Sequence, residues 1–216
     1  KSLLGLRVDN RKHENKYHKS TKARSSDSLD WRSKGVVNEV KDQGKCGGCW
    51  AFSVIQAVES VNAISSGTLQ RYSEQSLIDC VFYCLGCDGG NPFVAVAYIT
   101  SEMQGKFNLE SDYPYTGVDG ECQFDQHTKV GNVNDYIKIK EGDEDELAEK
   151  LETLGPASVC IDAYGAAFQL YSGGIYSETS CSSLYLNHAV GCVGFGSEDG
   201  TRYWIVRNSW GSSWGE

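Results

Sequence analysis

Four residues of this chain have the types that nucleophilic catalysis requires: Cys49, His188, Asn208 and Gln43. Cys49 stands where "DQGKCGGCWAFS" (42–53) runs into an apolar stretch that reads as a helix. At a helix N-terminus the unpaired N–H groups and the dipole favour the ionised thiol, which is the reactive form. Such a nucleophile needs a base. His13 and His18 lie in a basic N-terminal stretch and His127 in a polar loop, which leaves His188, at the head of the β-like run "HAVGCVGFG". The base needs a partner that fixes its tautomer. Asn208, in "VRNSWGSSWGE", can serve, with Trp210 and Trp214 near it to keep water from the bond. Gln43 precedes Cys49 on the approach to the helix, and its amide, with the Cys49 N–H, could polarise a carbonyl oxygen.

Spacing alone leaves other readings open. Cys46-x-x-Cys49 with Cys84-x-x-Cys87 is an acceptable four-cysteine zinc pattern. It would set a closed metal site at the mouth of an apolar helix and leave Cys80 and Cys122 without a role. A redox dithiol usually has its aromatic before the first cysteine, whereas Trp50 follows the second. A plain structural disulfide is the third alternative.

The elements that must hold these residues fall into two groups. "CWAFSVIQAVESVNAISSG" is apolar around most of its circumference, carries Glu59 as its single charge and stops at Gly67, so it reads as a buried helix. Ser73 caps a short helix through Cys80, and Pro92 opens another near 92–104. In "DEDELAEKLETLGP", Asp143 and Glu146 have near-capping-box spacing. Leu147, Leu151 and Leu154 share one face, and Gly155-Pro156 ends the helix. "ASVCIDA", "GGIYS", "HAVGCVGFG" and "RYWIVRNSW" then read as strands. Helices first and strands second imply an α+β fold with two lobes.

Bulk properties narrow the classes. The 216 residues suffice for one large domain or two small ones, and no run approaches the roughly 18 apolar residues of a membrane span. Lys1 is an unusual first residue, which suggests that the chain starts inside a longer precursor. Residues 1–24 carry eight Lys or Arg against Asp9 and Glu14, a surplus of six; the other 12 basic and 27 acidic residues leave the rest at −15. An acidic body is a poor partner for a phosphate backbone. Nine cysteines point to an oxidising compartment with at least one thiol left over.

Taken together the blocks resemble the papain family of cysteine peptidases, in its cathepsin L-like branch. The resemblance covers residues 25–216 and rests on "LDWRSKGVV", "QGKCGGCWAFS", "YSEQSLIDC", "GCDGGNP", "DYPY", "GPASV", "NHAVGCVGFG" and "YWIVRNSWGSSWGE". It implies a papain-like two-lobed fold, with a helical left lobe at about 34–135 and a β-rich right lobe at about 25–33 and 136–216. It implies an endopeptidase working through a thioester, with Cys49 as nucleophile, His188 as acid and base, Asn208 as orienter and Gln43 as oxyanion donor. The expected state before substrate arrives is a thiolate–imidazolium pair.

Further roles follow from the same resemblance. Gly89 and Gly90 would bind the substrate backbone as an added strand. Asn91, Pro92, Cys160, Leu186 and Ala189 would line an apolar second subsite, and Trp210 would border the leaving-group side. Cys46–Cys87 and Cys80–Cys122 would be disulfides, and Cys84, Cys160 and Cys192 buried free thiols. Residues 1–24 would be the last part of a propeptide, held to the body by opposite charge. No metal or cofactor is implied. The implied partners are protein and peptide substrates, the chain's own propeptide and cystatin-like inhibitors, with no nucleic acid or membrane, for a monomer in a lysosome, another acidic vesicle or a secreted fluid.

Two departures are visible: Gly48 replaces a usual Ser or Ala, and Asn187 an acidic residue of some members. The family pattern also continues beyond Glu216 with right-lobe strands that would pair Cys181 and floor the second subsite. The alternative reading is a catalytically silent or truncated homologue that acts as a binding protein.

Overall fold

The computed structural model of the protein describes Leu6 and residues 26–216. Apart from Leu6, the segment 1–24 and the expectation attached to it lie outside the described residues. Five helices and six strands are named in chain order: β1 (Leu29–Asp30), α1 (Cys49–Ser66), α2 (Glu74–Cys80), α3 (Pro92–Ser101), β2 (Phe107–Asn108), β3 (Lys129–Val130), α4 (Glu144–Leu154), β4 (Ala157–Ile161), α5 (Ala166–Gln169), β5 (His188–Glu198) and β6 (Thr201–Arg207). The helical part comes first and the β-rich part second, an α+β arrangement.

Helix α1 is the shared spine. Its apolar residues go round the helix, so it buries one side against α2 and α3 and the other against β4 and β5. Gly67 ends it in the left-handed conformation (φ 74°) with its N–H on Ala63 O, a stop that costs a glycine little. The core of the helical part gathers Trp50, Ile55, Leu77, Ile99 and Phe107. Glu59, the one charge in α1, is buried but paired: it accepts from Tyr72 N at 2.9 Å and lies 3.4 Å from Lys41 Nζ. Ser73 caps α2 through Ser76 N, and Asn91 caps α3 with Pro92 in its first turn.

β5 is the axis of the larger sheet, antiparallel to β1, β4 and β6. Residues 188–196 of β5 are buried, because the run is covered by α1 and α4 and flanked by neighbouring strands. A smaller core sits under α4, where Ala148 and Leu151 meet Cys192 and Phe195. Leu151 Cβ and beyond is fully enclosed, so Leu151→Ala belongs to the class that costs about 2–5 kcal/mol.

Three local expectations differ from the structure. "GGIYS" (173–177) forms no strand, because Gly173 and Gly174 have φ of 150° and 80° and turn the chain. Leu154 is 47% exposed at the end of α4, while Glu146 on the same helix is buried. The capping box is half formed: Asp143 Oδ1 accepts from Glu146 N, but Glu146 Oε2 reaches Lys140 N instead of returning to Asp143. No described helix is long and apolar enough to cross a membrane.

Candidate active site

The cleft floor is built where the approach to α1 is stitched to the segment after β6. Gln43 N donates to Ser209 O at 2.8 Å, Gly211 N to Lys41 O at 3.1 Å, and Asp42 pairs with Trp210. Cys46 is bonded to Cys87, and Gly47 N donates to Cys87 O. The bond to Cys87 removes Cys46 from any zinc or dithiol pair with Cys49, whose thiol is not in a disulfide. The second disulfide is Cys80–Cys122, so both pairs are those the resemblance implies. Cys84 and Cys192 are buried free thiols, but Cys160 is only partly buried, since it faces a groove rather than the core. Cys181 is free and exposed.

Cys49 is the first residue of α1 and has no exposed surface. Gly48, at the cap, supplies no side chain to compete for the first N–H groups, so the helix terminus stays electropositive at the thiol. Across the groove, Cys160 on β4 is pushed up to about 12 by burial, with the charge of Cys49 adding to it. Helix α1 packs on β4 and β5, and near its N-terminus Ser158 Oγ of β4 donates to Ser53 Oγ at 2.9 Å.

His188 begins β5 and is fully buried. Its Nε2 lies 2.8 Å from Asn208 Oδ1, and that same oxygen accepts from Ser209 N at 2.8 Å. An oxygen with this partner must face the ring as an acceptor, so Nε2 carries the proton and Nδ1 the lone pair. Trp210 stacks on the imidazole at 4.8 Å and 29°, and Trp214 and Phe168 back Trp210 at 5.3 and 5.7 Å. Burial pushes the imidazole down to about 4, with the Asn208 acceptor pulling the other way.

Gln43 is buried and doubly held: its Oε1 accepts from Ser209 Oγ at 2.6 Å and its Nε2 donates to Cys46 O at 2.9 Å. An amide nitrogen carries two hydrogens, so the bond to Cys46 does not exhaust its donors. Ser209 thus orients both Gln43 and Asn208. Sequence reasoning missed it, although it directly follows Asn208.

The left wall is the segment before α3. Gly89 uses its own backbone internally, accepting from Leu85 N and donating to Gly86 O, so Gly90 is the residue that pairs outward. Gly90 lies flat on the Trp50 indole, where a Cβ would come within 2.6 Å of the ring. Leu6 forms a parallel bridge with Gly90 and donates its N–H to Asn187 O at 3.2 Å, so it spans the two walls. Asn91, Pro92, Cys160 and Leu186 line one groove with Leu6. Ala189 is buried and pairs with Cys160. Among the described residues no cluster of three or more His, Cys, Asp or Glu could hold a metal ion.

A family model described as "Papain family cysteine protease" matches residues 25–216. The chain belongs to the papain family of cysteine proteases. It is 44% identical over 197 residues to digestive cysteine proteinase 1 of Homarus americanus, covering 90% of this chain and 61% of that one. It is 45% identical over 192 residues to cathepsin L1 of Drosophila melanogaster, covering 88% and 51%. The chain thus spans less than two thirds of these relatives. The structure of digestive procathepsin L 3 from the Tenebrio molitor larval midgut superposes with a TM-score of 0.89 at 41% identity, covering 99% and 68%. The α+β architecture is accordingly the papain-like fold, and the cathepsin L-like relatives place the chain in that neighbourhood of the family.

Proposed function

We propose that the protein is a cysteine endopeptidase in which Cys49 attacks, His188 transfers protons, Asn208 orients His188, and Gln43 with the Cys49 N–H stabilises the oxyanion. The observation that carries this reading is the His188–Asn208 bond at 2.8 Å under Trp210, which leaves Nδ1 as the proton-accepting nitrogen. Burial disfavours an isolated imidazolium, so that ion forms only with an anion beside it, and the thiolate of Cys49 at the helix terminus is that anion.

The Cys49 sulfur adds to the scissile carbonyl carbon, and the oxygen takes the charge in the field of the Cys49 N–H and the Gln43 amide. Collapse breaks the C–N bond as His188 gives its proton to the amine, leaving a thioester. Water then adds as His188 takes its proton, and expulsion of the thiolate releases the acid. The peptide lies along Gly90 and Asn187 O as Leu6 does. Pro92, Cys160, Leu186 and Ala189, with Asn91 at the edge, favour an apolar side chain in the second subsite, and Trp210 borders the leaving group.

Residues 1–24 act as the end of a propeptide and 25–216 as the peptidase domain. The seat of Leu6 between the walls supports this, as does the lack of exposed surface on Cys49 and His188. The digestive relatives and the two disulfides favour an acidic digestive or lysosomal fluid reached through the secretory route. The test is hydrolysis of an apolar–Arg peptide amide at acid pH. Turnover by the wild type and loss in Cys49→Ala is expected, and undiminished turnover in Cys49→Ala overturns the assignment.

A further inference from the structure

The β4–β5 ladder runs out at the Ile161–His188 pair, yet the two segments stay joined beyond it through backbone and side-chain bonds. Asn187 N donates to Ile161 O at 3.0 Å, and Asn187 Oδ1 accepts from Ala163 N at 2.8 Å. Asn187 Nδ2 donates to Asp162 Oδ1 at 3.1 Å. The Asp162 carboxylate also accepts from Tyr164 N at 3.0 Å and from Ser182 N at 2.9 Å. Three donors from three places in the right wall thus converge on one anion. The Asn187 amide is fixed toward β4, while its backbone carbonyl turns into the cleft and accepts Leu6 N.

We propose that Asp162 is a positioning residue of the cleft, holding Asn187 so that its carbonyl captures a backbone N–H of the bound peptide. The proposal rests on the peptidase reading for its kinetic consequence. Bonds to a carboxylate are charge-assisted and stronger than neutral ones. The donors also hold Asp162 below the usual carboxylate range, which keeps the anion in place in acid. His188 is fixed separately by Asn208 and Trp210, so loosening Asn187 weakens peptide capture more than it alters Cys49 chemistry.

The experiment compares wild type, Asp162→Ala, Asp162→Asn, Asn187→Ala and the double alanine variant. After the N-terminal segment is cut from the folded protein, it measures kcat and KM for a peptide spanning Gly90 and Asn187, and the rate of Cys49 alkylation by iodoacetamide. Asp162→Ala should raise KM about tenfold and leave alkylation within about twofold. Asp162→Asn, which keeps an acceptor for Ser182 N, should recover part of that loss and guards against misfolding. The double variant should be no worse than Asn187→Ala, because the effect runs through Asn187. An unchanged KM in Asp162→Ala, a multiplicative rise in the double variant, or alkylation falling in step with KM overturns the proposal. Hydrogen exchange needs no turnover: in the full chain, Asp162→Ala should speed exchange at Leu6 N about tenfold relative to amides of α1. A silent wild type with this exchange effect would strike the peptidase reading alone, and an unaltered Leu6 amide would strike the Asp162 proposal.

Discussion

At the scale of single residues, one oxygen orders the proposed site. Asn208 Oδ1 serves both His188 Nε2 and Ser209 N, and the second bond removes any choice about the tautomer of the first. Burial then keeps the ring neutral unless an anion joins it. In Cys49→Ala no thiolate is present, so His188 should titrate near 4, well below its ordinary 6.5, when followed by NMR of the ring. A midpoint near 6.5 in that variant would show that the site is wetter than its packing implies. Cys49, His188 and Asn208 could be picked out of the sequence because each residue type is scarce or stands in a marked run. Ser209 and Asp162 could not. Serine and aspartate are common, and their value here comes from partners 166 and 25 positions away, a relation with no periodic trace.

Among the elements, α1 and α2 share a buried charge cluster that the apolar pattern conceals. Lys41 Nζ lies 2.8 Å from Glu74, 3.4 Å from Glu59 and 3.1 Å from Glu110. Glu74 is fully buried, and burial raises its carboxyl to about 7 despite Lys41. Between pH 4.5 and about 7 the folded chain therefore holds a proton that the unfolded chain has lost. Stability from this group is complete below 4.5 and is lost as pH rises to about 7. In Cys49→Ala, where no thiolate stabilises the imidazolium, His188 is lowered to about 4 and runs the other way, adding stability as pH rises from about 4 to 6.5. In that variant the two groups oppose each other. Denaturant midpoints should be compared in a Cys49→Ala background with and without Glu74→Gln. The added change should make stability climb more steeply with pH across this window; parallel curves would remove Glu74 as the titrating group. Element types were readable wherever periodicity or a cap marked them, as with Ser73, Pro92 and the β-branched run of β4. "GGIYS" misled because its side chains suit a strand while its glycine backbone does not.

At the scale of the molecule, two disulfides close loops of 41 and 42 residues beside the cleft. Loops of that length correspond to about 4 kcal/mol each in the chain-entropy model. They brace the left wall, while the right wall relies on hydrogen bonds such as those of Asp162. Charge divides along the chain, with +6 on residues 1–24 and −15 on the remainder. If that attraction helps retain the N-terminal segment, its proteolytic removal should quicken with salt at neutral pH, where screening is effective beyond about 10 Å. It should also quicken as acid neutralises the body's carboxylates. Cleavage rates followed by gel at several ionic strengths check this, and rates indifferent to salt would discount the charge attraction.

Leu6 is joined covalently to the cleft it occupies, and that changes the terms of competition. A tethered occupant has an effective concentration that can be on the order of millimolar, whatever the amount of protein in solution. A peptide present at micromolar levels cannot displace it by mass action unless it binds far more tightly. Once the tether is cut, the same contacts obey ordinary dilution, and the released segment escapes into the surrounding volume. Cutting the chain would therefore open the site without weakening a single contact within it.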